Sequence, residues 1–255
     1  MSKRKQSVRP RDFYLFFQIY VIIFLQPKGI TMADIIESKG WDWKIVSDNI
    51  ADVWKNPAPE TYYLLHRWKQ QNKKTFLDLG CGLGRHCILF GLNGFDVSAF
   101  DISENAIERT GAWAKELGIK LELKQGDMLN VPFTDNSMDC ILCMNVISHT
   151  DTNGVHKIAN ELKRVLKSGG ECYFTLASKE TWGFKQNWPV VDENTKLRDE
   201  PGPEYMVPHF YADRDAILKI FHDFEIIETK HIGTYITKDD KTFESYHWYV
   251  LIRKK

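Results

Sequence analysis

The 255-residue sequence has no surplus of either charge, since 34 Lys and Arg face 34 Asp and Glu. Six of those bases but only one of the acids fall in residues 1–31, which leaves the remainder about five charges negative. A phosphate backbone needs clustered Lys and Arg, so no nucleic-acid partner is expected. A disulfide framework is also missing. Cys81, Cys87, Cys140, Cys143 and Cys172 lie in segments that read as buried strand, glycine-rich turn or helix, which predicts reduced thiols and a cytoplasmic location. Cys140-x-x-Cys143 resembles half a zinc site, but residues three apart in a strand point to opposite faces, so no metal is expected there. Long apolar runs are absent too. Phe13–Leu25 holds thirteen residues with one Gln and is shorter than the ~20 a membrane-spanning helix needs. No small-x-small cleavage pattern follows it, so stable membrane association is not expected. Residues 1–31 read as a leader or mis-assigned start ahead of Met32, possession of an anchor being the alternative. No repeat or low-complexity tract occurs, and the sequence leaves the oligomeric state open.

What is present is an alternation of strand and helix patterns from residue 75 onward, the signature of a parallel sheet covered on both faces. Strands are expected at 75–79, 95–100, 120–124, 138–144 and 171–176. Helices are expected at 85–93, 103–117 and from 151 or 152, the last ended by a turn at Ser168–Gly170. Ahead of this, residues 32–72 read as a helical cap dense in aromatics, with Pro59 opening a helix over 60–71. Its Trp41 and Tyr62 are candidate substrate contacts. Residues 178–211 break the rhythm with Trp182, Phe184, Trp188, Tyr205 and four prolines, a long insertion of the kind that carries function. A helix at 214–221 capped by Asp213 follows, then two strands at 224–229 and 246–252 that read as an antiparallel pair at the sheet edge. The whole of 32–255 is expected to be one α/β domain.

The chemistry is concentrated at three strand ends. Asp78-x-Gly80-x-Gly82-x-Gly84 follows the first strand, with Cys81 inside the loop. A dinucleotide fingerprint requires Gly-x-Gly-x-x-Gly, and Arg85 stands where its last glycine belongs, so a pyrophosphate has no seat. A turn stripped of side chains still lets backbone amides approach a compact ligand, and Asp78 offers a carboxylate to an ammonium group. S-adenosylmethionine has an amino-acid end and no phosphate. Asp101, 21 residues after Gly80, ends the second strand where a carboxylate can accept from a ribose diol, although helix capping competes for such an acid. After the third strand comes Gly126-Asp127-Met128, where Asp127 can bond an exocyclic amine and Met128 can cover a ring face.

With Ala99–Ser103, Val131–Ile141 and Arg164–Gly170, these stretches resemble the class I S-adenosylmethionine-dependent methyltransferases, in the broad methyltransferase-domain group that includes many small-molecule enzymes. The resemblance covers about 75–177. It implies a Rossmann-like seven-stranded sheet with its last strand antiparallel. It further implies that Asp78 and Gly80–Gly84 hold the methionine end, Asp101 and Ile102 the ribose and adenine, Asp127 and Met128 the base, and the backbone of Asn145 the amino group. Ser168 replaces the proline usual in the Lys-Pro-Gly-Gly turn.

Acceptor class is commonly written after the fourth strand, here Met144–Thr150. Neither the Asn/Asp-Pro-Pro-aromatic motif for exocyclic or amide nitrogens nor a Pro-Cys nucleophile for cytosine C5 occurs, which again points away from nucleic acid. His149 is the candidate catalytic base or orienting residue, with a structural role beside the next helix as the alternative. His209, Tyr211 and His247 are candidate wall residues of the same cleft, and the spacing of the histidines forms no metal-ligand set. The expectation is methyl transfer to a small-molecule acceptor. A protein or RNA methyltransferase and a non-catalytic adenosylmethionine-binding module are the alternatives.

Overall fold

The computed structural model describes residues 38–41, 43, 53–238 and 240–255. The leader and anchor expectations for 1–31, the start at Met32 and much of the 32–72 cap lie outside these residues. Among the described residues no helix is long and apolar enough to cross a membrane.

The sheet is assembled from β1 (Thr75–Leu79), β2 (Asp96–Asp101), β3 (Leu121–Gln125), β4 (Met138–Cys143) and β5 (Leu166–Ser178), all parallel and ordered β3-β2-β1-β4-β5. Between them run α1 (Pro59–Gln70, ahead of β1), α2 (Arg85–Leu92), α3 (Glu104–Glu116) and α4 (Thr152–Val165). Beyond β5 the chain forms α5 (Trp182–Lys185), β6 (Val190–Asp192), β7 (Thr195–Leu197), β8 (Pro208–Ala212) and α6 (Arg214–Ile220). The hairpin β9 (Phe224–Lys238) and β10 (Lys241–Lys254) ends it, β10 lying antiparallel between β5 and β9. This is the Rossmann-like sheet with its last strand antiparallel that the resemblance implies.

Short polar residues start the helices. Ser103, Asp151 and Asp213 each accept from the backbone N–H three residues on, that of Ala106 (3.3 Å), Gly154 (2.6 Å) and Ala216 (2.8 Å). Val155, Ile158, Ala159, Leu162 and Val165 then put one stripe of α4 onto the sheet. That face also holds Phe174, Phe210 and Phe221, while the opposite face packs α1 and α2 through Trp68, Phe76 and Phe90, the two phenyl rings stacked at 3.9 Å. Cys140 belongs to one core layer and Cys143 to the other, as strand alternation requires.

Two element boundaries differ from the sequence reading. The expected turn at Ser168–Gly170 is a kink inside β5, with Gly169 at φ +72° and a register shift where pairing with β4 passes from Leu166 to Glu171. The last hairpin is also far longer than its apolar segments, because polar and β-branched residues from Lys230 to Ser245 keep pairing beyond the core. The insertion does not lie loose. β6, β7 and β8 form an antiparallel ribbon whose last strand joins β5 at Ala177 and Ser178, above the end of β4.

Candidate active site

A cavity of about 1070 Å³ opens at the carboxyl ends of β1, β2, β4 and β5. In a parallel α/β sheet this is where ligands bind, at the reversal of strand order. Here that reversal falls between β1 and β4.

The glycine loop forms its floor. Gly80, Gly82 and Gly84 have φ of +78°, +54° and +84°, backbone that favours glycine, and the amides of Gly80 and Cys81 both donate to the Phe100 carbonyl. The Gly82 amide donates to Asp101 Oδ2 and the Ser103 amide to Asp101 Oδ1, each at 2.9 Å. Asp101 thereby locks the glycine loop to the turn after β2. Burial raises its pKa, and these backbone bonds oppose the rise. A carboxylate has about four acceptor positions, so two remain on an acid that lines the cavity, which is what a ribose diol needs. Ile102, Gly126 and Met128 continue the wall, and Asn145 joins it in a left-handed conformation at φ +59°, its amide donating to Thr175 Oγ1 at 2.7 Å. The residues present therefore suit an adenosine-bearing ligand with a compact polar end.

Three expected cofactor residues stand elsewhere. Asp78 shares the face of β1 that carries Phe76, so it lies beneath α2 and behind the loop, outside the cavity wall. Its Oδ2 accepts from the Cys87 thiol at 3.3 Å, and burial pushes its pKa up to about 7. Gly84 caps α2 against Thr110. Asp127 turns its Oδ1 onto the Leu129 amide at 2.8 Å and closes its own turn, while its neighbours Gly126 and Met128 reach the cavity. Tyr62 is likewise outside. Thr61, Leu64 and Trp68 form the buried stripe of α1, which leaves Tyr62 54% exposed.

The side of the cavity away from the glycine loop is roofed by the insertion and the long hairpin. Trp41, Trp182, Trp188, Tyr211, Phe243 and His247 line it, and the Phe210 amide donates to the Ser148 carbonyl at 2.7 Å, stitching β8 to the loop after β4. At its polar pole His149 Nε2 is 3.5 Å from Glu204 Oε1 and His209 Nε2 is 3.5 Å from Glu204 Oε2. Trp41 Nε1 donates to the same Oε1 at 2.5 Å, and Arg198 pairs with Oε2. Burial would raise Glu204, but the bonds and charge of His149 and His209 overcome it and hold its pKa far below the carboxylate range. Burial lowers the pKa of His149, with Glu204 opposing. His247 is lowered by burial as well.

The structure thus gathers His149, His209, Tyr211, His247 and Trp41 around one cavity with the glycine loop. Glu204 and Arg198 have no place in the sequence reading. They sit among prolines with no periodicity to mark them, and the only signal was the length of the insertion.

Residues 76–170 match the family model described as a methyltransferase domain. The chain is 33% identical over 118 residues to a sterol 24-C-methyltransferase of Gibberella zeae, across 44% of this chain and 30% of that protein. It is 33% identical over 98 residues to a ubiquinone biosynthesis O-methyltransferase of Rickettsia conorii, across 38% of this chain and 33% of that protein. The chain therefore spans about a third of the length of these two relatives. Among solved structures, an S-adenosylmethionine-dependent methyltransferase from Methanosarcina mazei is similar over 78% of this chain and 98% of its own, with a TM-score of 0.63 at 20% identity.

Proposed function

We propose that this chain is a class I S-adenosylmethionine-dependent methyltransferase and transfers a methyl group to a small-molecule acceptor held under its insertion, a reading supported by the methyltransferase-domain match at 76–170. The observation that carries this reading is the continuity of the cavity. One wall is the glycine loop tied to Asp101, and the opposite wall is rich in aromatics and carries a polar cluster at His149 and Glu204.

Each wall has a separable task. Asp101 accepts from the ribose diol while Ile102 and Met128 flank the adenine. The glycine loop and Asn145 receive the amino-acid end through backbone groups. Bound there, S-adenosylmethionine supplies a methyl group already activated by a sulfonium, so alignment in a dry cleft provides most of the rate. Trp41, Trp182, Trp188 and Phe243 exclude water and flank an apolar acceptor. His149 Nε2 stands 3.5 Å from Glu204 Oε1, so His149 is placed to take a proton from the nucleophile while Glu204 steadies the resulting imidazolium. The sterol and ubiquinone-pathway relatives are named for small-molecule methylation, which supports the same class of acceptor here.

The test is turnover of S-adenosylmethionine to S-adenosylhomocysteine with a cell extract as acceptor source. The expected activity survives nuclease and protease treatment of the extract and passes with its low-mass fraction. Activity confined to the macromolecular fraction would refute the acceptor class, and no turnover with any fraction would refute the enzyme.

A further inference from the structure

At the polar pole two imidazoles face one carboxylate at distances longer than a closed hydrogen bond. His209 Nδ1 lies 3.0 Å from the Val207 carbonyl, and a carbonyl only accepts, so the proton of a neutral ring is fixed on Nδ1. In that neutral ring Nε2 carries a lone pair, the atom that a metal ion takes, and it lies 3.5 Å from Glu204 Oε2. His149 Nε2 meets the other oxygen of the same carboxylate at the same 3.5 Å. A charge-assisted N–H···O bond closes to about 2.7–2.9 Å. Ligands about 2.1 Å from a tetrahedral metal ion stand about 3.4 Å apart. The ligand atoms of all three residues lie within 4.8 Å of one another.

We propose that His149, Glu204 and His209 form a binding site for one divalent transition-metal ion of the zinc class, open on its remaining side to the acceptor cavity. Two imidazoles and one carboxylate are a donor set for zinc and its neighbours, and three protein ligands with an open position are the arrangement of sites that engage a substrate. The second layer is in place. The Val207 carbonyl sets the tautomer of His209, and Trp41 Nε1 orients Glu204 Oε1. Arg198 is the opposing charge, because it pairs with Glu204 where the ion would share that carboxylate. It has a second partner in Glu200, at 3.5 Å, to which it can shift. For catalysis this inference rests on the methyl-transfer reading: with the ion bound, His149 Nε2 is a ligand, and the task of lowering the acceptor's proton affinity passes to the ion. The binding itself does not depend on that reading.

The test is a titration of untagged, chelator-treated protein with Co²⁺, followed by its visible d–d absorption, and with Zn²⁺ by calorimetry. The expected result is one saturable equivalent. His149→Gln and His209→Gln should each lose the cobalt band while keeping the wild-type melting temperature and adenosylmethionine binding. Arg198→Gln should bind either ion roughly tenfold more tightly, as removal of an adjacent positive charge predicts. No saturable binding, or an unchanged cobalt spectrum in the double variant His149→Gln/His209→Gln, would overturn the proposal. Metal binding in a protein that fails to bind adenosylmethionine would uphold this site and sink the methyl-transfer reading. Adenosylmethionine turnover by a protein that binds neither ion would do the reverse.

Discussion

At the residue scale the cavity depends on positions where one atom more or fewer changes the outcome. Gly82 sits at φ +54°, and a Cβ there would stand 2.7 Å from Trp43 Cζ2, against the wall of the cavity. Gly94 has a similar φ of +83° but nothing within 4 Å, and it lies away from the cavity. Alanine at Gly94 should cost ~1–2 kcal/mol of stability from the left-handed backbone, and alanine at Gly82 more than that because Trp43 must also move, both measured by urea unfolding. Only Gly82→Ala should also weaken adenosylmethionine binding. Glu204 gives a second residue-level prediction. Glu204→Gln keeps the shape and removes the charge that His149, His209 and Arg198 face. Turnover should fall on the order of 10²-fold with little change in adenosylmethionine affinity, because the carboxylate lies on the acceptor side. Equal losses in both would move Glu204 to the cofactor side. At this scale the sequence was only partly legible. Asp101 and the glycine loop follow from type and spacing within one βαβ unit. Asp78 turned behind the loop because strand alternation aims it under α2, and Tyr62 turned outward because the phase of α1 is set by Leu64 and Trp68.

At the scale of elements, one buried acid fastens the sheet to its cover. Glu171 on β5 is fully buried and accepts from Arg67 (2.8 and 2.9 Å) and Trp68 Nε1 (2.9 Å) on α1, and from Arg253 (3.0 Å) on β10. Burial pushes its pKa up, but those partners, Arg67 first among them, overcome this and hold it at about 2. A carboxyl depressed in the folded state stabilises fully above its ordinary unfolded value near ~4.3, and the stability is lost as pH falls toward 2. Urea unfolding of the wild type should therefore lose roughly 3 kcal/mol from this group between about pH 5 and pH 2. Glu171→Gln should start lower at neutral pH and show a flatter acid limb. An acid limb of unchanged slope in the variant would assign the loss to other carboxylates. Elements that bury an apolar stripe were readable in the sequence, as α4 was. The long hairpin β9–β10 was not, since its outer half mixes polar residues with scattered Ile232, Tyr235, Ile236 and Phe243 that show no alternation and lie outside the main core.

At the scale of the molecule, the cofactor half of the cleft is local in sequence and the acceptor half is assembled over long range. Gly80, Asp101 and Met128 occupy successive strand ends, so a reader of the sequence meets them in order. His149 and His209 are brought to Glu204 only because β8 continues above the end of β4 and the Phe210 amide binds Ser148. No spacing rule reports such a meeting, which is why the histidines looked like an unconnected set. The most direct measurement of the central claim is a calorimetric titration of the full chain with S-adenosylmethionine, run in parallel on Asp101→Ala. The account predicts saturable one-site binding to the wild type, and its loss in a variant that retains the wild-type circular dichroism. No binding to the wild type, or equal affinity in Asp101→Ala, would contradict it.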